Sequence, residues 1–349
     1  MGLNILIVGG GIAGLATALA LRKAGHRVKV FEATRLEDKD TVGPVVHLGP
    51  RSHDLLVNWG YDSAEARAVP VQQVDEFNLN GQVKDDAKTQ PPGWVYLDRS
   101  RLHRSLLNAL STDTSGQVDV LLGTTVDSVD KTGLVTLRDG STFQGDVVVG
   151  ADGFDSTVRE SITPSKTIPS GPAQVAVYFS IPSGSHSCVQ RFQHQPARYE
   201  KWLGSIELRV HAVEPDRLLF DTNLPLSKGD IDGPSLKQTI LEAFAGASEF
   251  SKLLSTVHPE DIHFWTQPVL PLVEKWTSKH VVLVGDAAHP FLPHELPGTS
   301  QALNDAAALA AELSPNIKPE EVERALKGWE GPRKERVRVI QGKERATTA

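Results

Sequence analysis

Three short stretches place glycine directly beside the end of an apolar run, and the second and third of them also contain an aspartate. They are GGGIAG at residues 9–14, ADG at 151–153 and GDA at 285–287. Glycine lets a backbone approach a phosphate group closely, and a carboxylate at a strand end accepts hydrogen bonds from sugar hydroxyls. Together the three stretches predict a site for a nucleotide cofactor.

The first stretch has the G-x-G-x-x-G spacing of a dinucleotide-binding loop. Gly9 permits the tight turn, Gly11 lets the backbone approach a pyrophosphate, and Gly14 lets helix and strand pack closely. Glu32 ends the next strand at about the distance, roughly 20 residues, expected of a carboxylate that binds the adenosine ribose. The alternative is a purely structural glycine turn, and the loop by itself does not distinguish NAD from FAD.

The two downstream stretches favour FAD. "VVVGADGFDSTVR" and "VVLVGDAAHP" are apolar strands that end in glycine and then offer an aspartate. FAD is longer than NAD, because its ribityl chain and isoalloxazine ring extend across the domain, so more strand ends must serve it. We therefore predict bound FAD.

The surrounding pattern predicts an α/β protein in which a sheet domain is inserted. "LNILIVGG", "GIAGLATALALRKAG" and "HRVKVFEA" form a βαβ unit, and residues 125–153 predict an antiparallel meander that ends in a buried strand. We expect a Rossmann-like FAD-binding domain with a mixed sheet, made of residues 1–70, 97–165 and 279–349. Residues 71–96 and 166–278 are expected to form a substrate domain of β-sheet and helix, with one helix from Ser235 to about Leu254.

Composition narrows the class of protein. The chain has 349 residues, a net charge of −7 and one cysteine, Cys188. The negative charge argues against nucleic acid as a partner, and one cysteine excludes an internal disulfide and suits a reducing compartment. No apolar run reaches the roughly 18 residues of a membrane span. We expect a cytoplasmic monomer or homodimer with no metal site.

With these motifs in this order, the chain resembles the group A flavoprotein monooxygenases, the aromatic-ring hydroxylases that include salicylate and p-hydroxybenzoate hydroxylases. The similarity covers nearly the whole chain and is weakest in the inserted domain. The resemblance implies that NAD(P)H reduces FAD and that O2 then forms a C4a-hydroperoxyflavin. It also implies hydroxylation or epoxidation of a small aromatic, phenolic, enolic or polyketide-like substrate.

The resemblance also assigns residues. Those implied to bind the cofactor are Gly9, Gly11, Gly14, Glu32, Val45, Arg99, Asp152, Asp286, Gly298 and Thr299. Asp286 would bind the ribityl chain, and Asp152 with Arg159 would serve both FAD and NAD(P)H. A helix that begins near Thr299 would stabilise negative charge on the reduced ring through its N-terminus. Arg99 could instead be a surface arginine beside Asp98, and Asp286 a simple helix cap.

Two loops differ from the family pattern. Leu296 replaces a glycine, Pro297 fills a position that usually keeps its N–H, and Val45 follows Gly43-Pro44 where the family has a glycine-rich turn. The chain also ends soon after a basic last helix, which we expect to be a solvated surface. Two alternatives therefore stay open: a flavoprotein oxidoreductase that does not oxygenate, and a non-catalytic relative that binds a ligand.

The sequence contains few features that identify residues in contact with the substrate. Candidates for catalytic contacts are Pro293, His294, Arg191 and Tyr178. His294 lies in the proline-rich loop, where a titratable group could meet a phenol. His47, His194 and His211 are equally eligible on sequence alone, and a single histidine is more often a structural residue.

Overall fold

The computed structural model describes residues 2–35, 45–78, 82, 88–89, 92–112, 117–163, 174–184, 198–203, 206–214, 217–225, 232–245, 248–267, 273–291 and 297–347. The strands are Asn4–Val8 (β1), Arg27–Glu32 (β2), Val45–Leu48 (β3), Val69–Pro70 (β4), Gln73–Asn78 (β5), Lys88–Thr89 (β6), Val95–Asp98 (β7), Val118–Leu122 (β8), Val126–Val129 (β9), Leu134–Leu137 (β10), Thr142–Gln144 (β11), Val147–Gly150 (β12), Gln174–Pro182 (β13), Arg198–Leu203 (β14), Glu207–Glu214 (β15), Arg217–Pro225 (β16), His263–Gln267 (β17), Thr277–Ser278 (β18) and Val281–Leu283 (β19). The helices are Ile12–Lys23 (α1), Pro50–Asn58 (α2), Arg99–Ser111 (α3), Thr157–Ile162 (α4), Gly233–Ala243 (α5), Ser248–Ser255 (α6), Pro297–Glu312 (α7) and Val322–Thr347 (α8).

The first sheet has six strands in the order β18-β19-β12-β1-β2-β8. All neighbours are parallel except β18 and β19, so the sheet is mixed, as predicted. Helix α1 follows β1 and is buried along most of its length, because its alanines and Gly14 allow close packing on the sheet. The meander of β9, β10 and β11 is antiparallel, also as predicted.

The second sheet has seven strands in the order β17-β13-β16-β15-β14-β5-β6. Helices α5 and α6 cover one face, where alternate apolar residues of β13, β15 and β16 form a separate core. The opposite face packs against the small sheet β3-β7-β4. The contact is made by Leu219 with Tyr96, Val71 and Val74. We call this opposite face the front face.

The mixed α/β fold with a second sheet confirms the predicted fold class. The predicted boundaries between the two domains stay a prediction, although β5 and β6 do join the seven-stranded sheet. Two helix predictions are wrong. The predicted helix of residues 235–254 is two helices, α5 and α6, with the poor helix former Gly246 in the sequence between them. Helix α7 begins at Pro297, not near Thr299, because proline fits the first turn, where N–H groups have no intrahelical partner.

Among the described parts of the chain, none of the helices has both the length and the apolar character needed to cross a membrane.

A buried histidine joins the start of β1 to the end of α7. His26 is fully buried, its Nδ1 accepts from the Leu3 N–H at 3.1 Å, and its Nε2 donates to the Leu313 carbonyl at 2.6 Å. Since Nδ1 is the acceptor, the ring is neutral with its proton on Nε2. Burial lowers the pKa of His26 below its usual value, and the bond to Leu313 only partly opposes this.

We expect His26 to make folding stability depend on pH. Its folded-state pKa lies below the unfolded value, so stability falls as the pH drops below about 6.5, where the unfolded chain binds the extra proton. His26→Gln keeps one acceptor and one donor but does not titrate. Thermal unfolding midpoints at about pH 7.5 and about pH 5.5 should differ less in this variant than in the wild type. Equal differences in the two proteins would contradict the assignment.

Candidate cofactor and substrate site

Four segments that are distant in the sequence share one edge of the six-stranded sheet. The glycine loop follows β1, Glu32 ends β2, Asp152 follows β12 and Asp286 lies in the turn after β19. These four strands are parallel neighbours, so their carboxyl ends lie together. In open α/β sheets a ligand binds outside the carboxyl ends of the strands. The arrangement therefore brings the predicted cofactor segments to one place.

The three glycines of the loop face different surroundings. Gly9 has φ +102°, and a Cβ there would lie 2.4 Å from the Ala151 carbonyl oxygen. A Cβ on Gly14 would lie 1.9 Å from the Gly9 carbonyl oxygen, so this glycine closes the loop against α1. A Cβ on Gly11 would meet no atom of the described residues within 4 Å, apart from its chain neighbours. The loop thus keeps open space beside Gly11, at the N-terminus of α1, where unpaired N–H groups favour a phosphate.

The Glu32 carboxylate is part of the loop itself. It is buried and accepts from the Gly10 N–H at 2.6 Å and from the Thr34 N–H at 2.9 Å. These two bonds hold the carboxylate against the glycine loop. The predicted bond to the adenosine ribose stays a prediction.

Helix α3 aims two side chains at the site. Arg99 is its first residue, and His103 lies one turn later on the same side. The buried His103 Nε2 donates to the Gly10 carbonyl at 2.7 Å and so holds the backbone of the glycine loop. Sequence reasoning missed His103, although its i, i+4 spacing from Arg99 was a usable signal. The Asp98 carboxylate caps the helix by accepting from the Arg101 N–H at 3.0 Å.

Asp286 and Arg99 face each other across the site. The Asp286 side chain is exposed to solvent, and neighbouring protein groups still desolvate it in part. Desolvation raises the pKa of Asp286, and Arg99 is the strongest charge that opposes the increase. The pKa of Arg99 is lowered, again by desolvation and against the effect of Asp286. Among the described residues the structure gives the Asp286 carboxylate no hydrogen-bond partner, so it is available to a ligand.

Arg159 connects the two aspartate segments. Its guanidinium donates to the Ala287 and Asp286 carbonyls at 2.8 and 3.0 Å, and to the Phe154 carbonyl at 2.7 Å. Ser156 is the N-cap of helix α4, and Asp152 supports this helix start by accepting from the Ser156 hydroxyl at 2.6 Å and from the Val158 N–H at 3.0 Å. The structure thus shows both residues building the backbone of the site, while their predicted contacts with FAD and NAD(P)H stay predictions.

Val45, Gly298 and Thr299 lie on elements that contact one another. Val45 is the first residue of β3 and pairs with Asp98, next to Arg99. Gly298 and Thr299 are in the first turn of α7, which packs against β3. Thr299 is therefore a residue of the first turn of α7.

The predicted substrate contacts are only partly placed. Pro293, His294 and Arg191 lie outside the described residues, as do Leu296, Cys188 and His194. Tyr178 is on the front face of the seven-stranded sheet, half-buried, with its ring stacked on His263 at 5.1 Å. Its contact with a substrate stays a prediction.

A cluster of buried polar residues lies at the front face, and only its two histidines were candidates on sequence alone. The His211 Nε2 lies 2.7 Å from an Asp221 oxygen, and the Arg209 Nε donates to the other oxygen at 2.5 Å. The His211 ring meets the ring of His47 from β3 edge to face, with centroids 5.0 Å apart. Tyr96 of β7 donates to the Ala212 carbonyl at 2.7 Å. We call Arg209, His211, Asp221 and His47 the front-face cluster.

The charges of this cluster are unequal. Burial alone would raise the pKa of Asp221, but Arg209 and then His211 lower it to about 2, so the carboxylate is ionised. Burial lowers the pKa of His211, and it lowers the pKa of His47 well below the usual value with the help of the neighbouring His211. The two imidazoles are therefore neutral at pH 7, beside an ion pair.

These features define a class of protein, an α/β protein with an extended nucleotide site. The open space at Gly11, the available Asp286 carboxylate and the facing Arg99 fit a cofactor that reaches from the glycine loop to the turn after β19. FAD has that length, and its pyrophosphate and ribityl hydroxyls match these groups.

Comparison with known proteins gives the family. The FAD binding domain family matches residues 3–342. The chain is 28% identical to hispidin-3-hydroxylase of Neonothopanus nambi over 97% of this chain and 86% of that protein. It is 27% identical to 6-hydroxynicotinate 3-monooxygenase of Pseudomonas fluorescens over 97% and 89% of the two chains. The structure of Klebsiella pneumoniae HpxO complexed with FAD and uric acid has a similar fold, with a TM-score of 0.82 at 21% identity over 98% and 86% of the chains.

This chain belongs to the FAD binding domain family, and it is an FAD-dependent oxidoreductase. The resemblance and the cofactor that the sequence predicted are thereby confirmed.

Proposed function

We propose that the protein is a monooxygenase that uses NAD(P)H and O2 to hydroxylate, or epoxidise, a small aromatic, phenolic or polyketide-like substrate. The observation that carries the proposal is the extent of the likeness. The relatives named as a hydroxylase and a monooxygenase match 97% of the chain, so the match includes the seven-stranded sheet as well as the cofactor segments.

The chain would supply positioning and charge. FAD, when bound, supplies the redox chemistry with NAD(P)H and O2. Gly11 and the N-terminus of α1 would hold the pyrophosphate, and Asp286 would hold the ribityl hydroxyls. Val45 and the first turn of α7 would lie beside the ring, where the unpaired N–H groups of a helix start stabilise negative charge.

We place the substrate between β3 and the front face. His47 and His211 meet there from the two sheets, and both are buried and neutral. A neutral imidazole accepts or donates a hydrogen bond without placing a second charge beside the ion pair of Arg209 and Asp221. This suits a hydroxylated ring or an enol whose proton is shared with the protein.

The proline at position 297, where the family pattern usually keeps an N–H, is compatible with an oxygenating reaction. Pro297 starts helix α7, where its missing N–H has no intrahelical partner. Leu296 lies outside the described residues, and Val45 forms an ordinary strand pair with Asp98. The oxygenating activity is therefore favoured over an oxidase or a non-catalytic binding role.

The test is a panel of phenols, hydroxypyridine carboxylates, urate and enolic polyketides, each incubated with FAD-loaded protein, O2 and either NADH or NADPH. We expect at least one compound to stimulate NAD(P)H oxidation and to give a product that carries one oxygen atom from labelled O2. Hydrogen peroxide as the only product with every compound would favour an oxidase. If the protein binds FAD but NAD(P)H does not reduce this FAD with any of the compounds, the non-catalytic alternative would be favoured.

A further inference from the structure

Asp305 is a fully buried carboxylate behind the turn that carries Asp286. One Asp305 oxygen accepts from the Gly285 N–H at 3.0 Å and from the His289 Nε2 at 2.5 Å. The other oxygen accepts from the Arg333 Nε at 2.8 Å. Gly285 directly precedes Asp286 and His289 follows it by three residues, so Asp305 holds the backbone N–H on one side of Asp286 and the His289 side chain on the other.

Arg333 supplies the charge that a buried carboxylate needs. Its guanidinium also donates to the Gln301 side-chain and main-chain oxygens at 3.1 and 3.3 Å, so the arginine is held in one orientation. Breaking a buried ion pair by removing one partner leaves an uncompensated charge in a low-dielectric interior, which costs far more than an exposed pair contributes. The position of Asp305 therefore depends on Arg333.

Helix α8 touches the same segment at two further points. Glu330 accepts from the Trp276 N–H at 2.8 Å and from the Thr277 hydroxyl at 2.7 Å, just before β19. Gln341 donates to the Pro290 carbonyl at 3.2 Å, just after the turn. The expectation that this basic helix is only a solvated surface is wrong at these positions, because its inner side is packed on the cofactor segment.

We propose that Arg333 is a positioning residue for FAD, acting through Asp305 on the turn that presents Asp286. Arg159 holds the Asp286 and Ala287 carbonyls from the other side, so the turn is restrained by one arginine directly and by a second through a carboxylate. The last helix is thus part of the FAD site without touching the cofactor. This inference depends on FAD binding and not on the reaction proposed above.

The experiment compares FAD affinities of purified apoproteins, measured by the quenching of flavin fluorescence, together with their thermal unfolding midpoints. Arg333→Gln should raise the Kd for FAD by about 10–100-fold, by analogy with the loss seen when a residue that holds a metal ligand in place is removed. Arg336→Gln, an exposed arginine on the same helix, should leave the Kd unchanged. Arg333→Lys keeps the charge but loses the forked contacts, so its Kd should lie between the two.

Asp305→Asn tests the route of the effect. If Arg333 acts through Asp305, adding Arg333→Gln to Asp305→Asn should change the Kd much less than it does in the wild type. A wild-type Kd in Arg333→Gln, even with a lower unfolding midpoint, would show a merely structural role and overturn the proposal. Additive effects of the two changes would overturn it as well. If Arg333→Gln does not fold, Arg333→Lys decides, and an unchanged Kd in that variant overturns the proposal.

Discussion

Gly14→Ala is expected to destabilise the protein and abolish FAD binding, whereas Gly11→Ala is expected to impair FAD binding alone. The two changes add the same methyl group three residues apart in one loop. At Gly14 the new Cβ would lie 1.9 Å from the Gly9 carbonyl oxygen, a backbone atom that cannot move without opening the loop. Overpacking of this kind costs about 1–3 kcal/mol or more.

At Gly11 the new Cβ would have open space among the residues that the structure describes, so the apoprotein should keep its stability to within about 1 kcal/mol. The methyl group would, however, occupy the space in which the backbone approaches the pyrophosphate. The measurements are the unfolding midpoint of each apoprotein and its Kd for FAD. Tight FAD binding by Gly11→Ala would show that the pyrophosphate does not lie beside this residue.

Arg209→Met is expected to destabilise the protein by about 3–5 kcal/mol at neutral pH, because it leaves the Asp221 charge buried without its cation. In the wild type the pKa of Asp221 is about 2, below the ordinary 3.8, so its contribution to stability is present above about pH 3.8 and is lost as the pH falls through 2. In the variant the folded carboxyl binds its proton at higher pH. The stability difference between the two proteins should therefore shrink from about pH 7 to about pH 4.

Denaturant unfolding at the two pH values checks this prediction. Arg217→Met is the matched control, since Arg217 lies on the neighbouring strand but is exposed and bonds only a serine hydroxyl among its described contacts. Its effect should stay within about 1 kcal/mol at both pH values. A pH-independent loss in Arg209→Met would mean that the arginine acts by packing and not through the charge of Asp221.

The cofactor segments were predictable because their information is local. A glycine spacing, an apolar strand before it and an acid after the next strand all lie within a few tens of residues, and each has a direct steric or hydrogen-bonding reason. The start of α7 was predicted wrongly by two residues, since threonine is a good N-cap but proline is also accommodated in the first turn.

The supporting contacts were not predictable in the same way. His103 bonds Gly10, and Arg333 bonds Asp305, across long stretches of sequence. The spacing of His103 from Arg99 on helix α3 places the two on one side but does not say what His103 contacts, and nothing in the pattern of helix α8 separates Arg333 from its other polar residues. Their roles depend on which elements pack together, and a basic helix looks the same in sequence whether its arginines are solvated or paired.

The sequence by itself determined the cofactor class, the βαβ unit that begins the fold and the presence of a second sheet, since backbone sterics and hydrophobic periodicity act over neighbouring residues. The tertiary structure alone decided which charges are buried and paired. It joined His47 to His211 and Asp221 across two sheets, and it joined the last helix to the turn of Asp286. The reason is physical: burial sets the cost of a charge, and burial is a property of the packed chain and not of any local stretch of it.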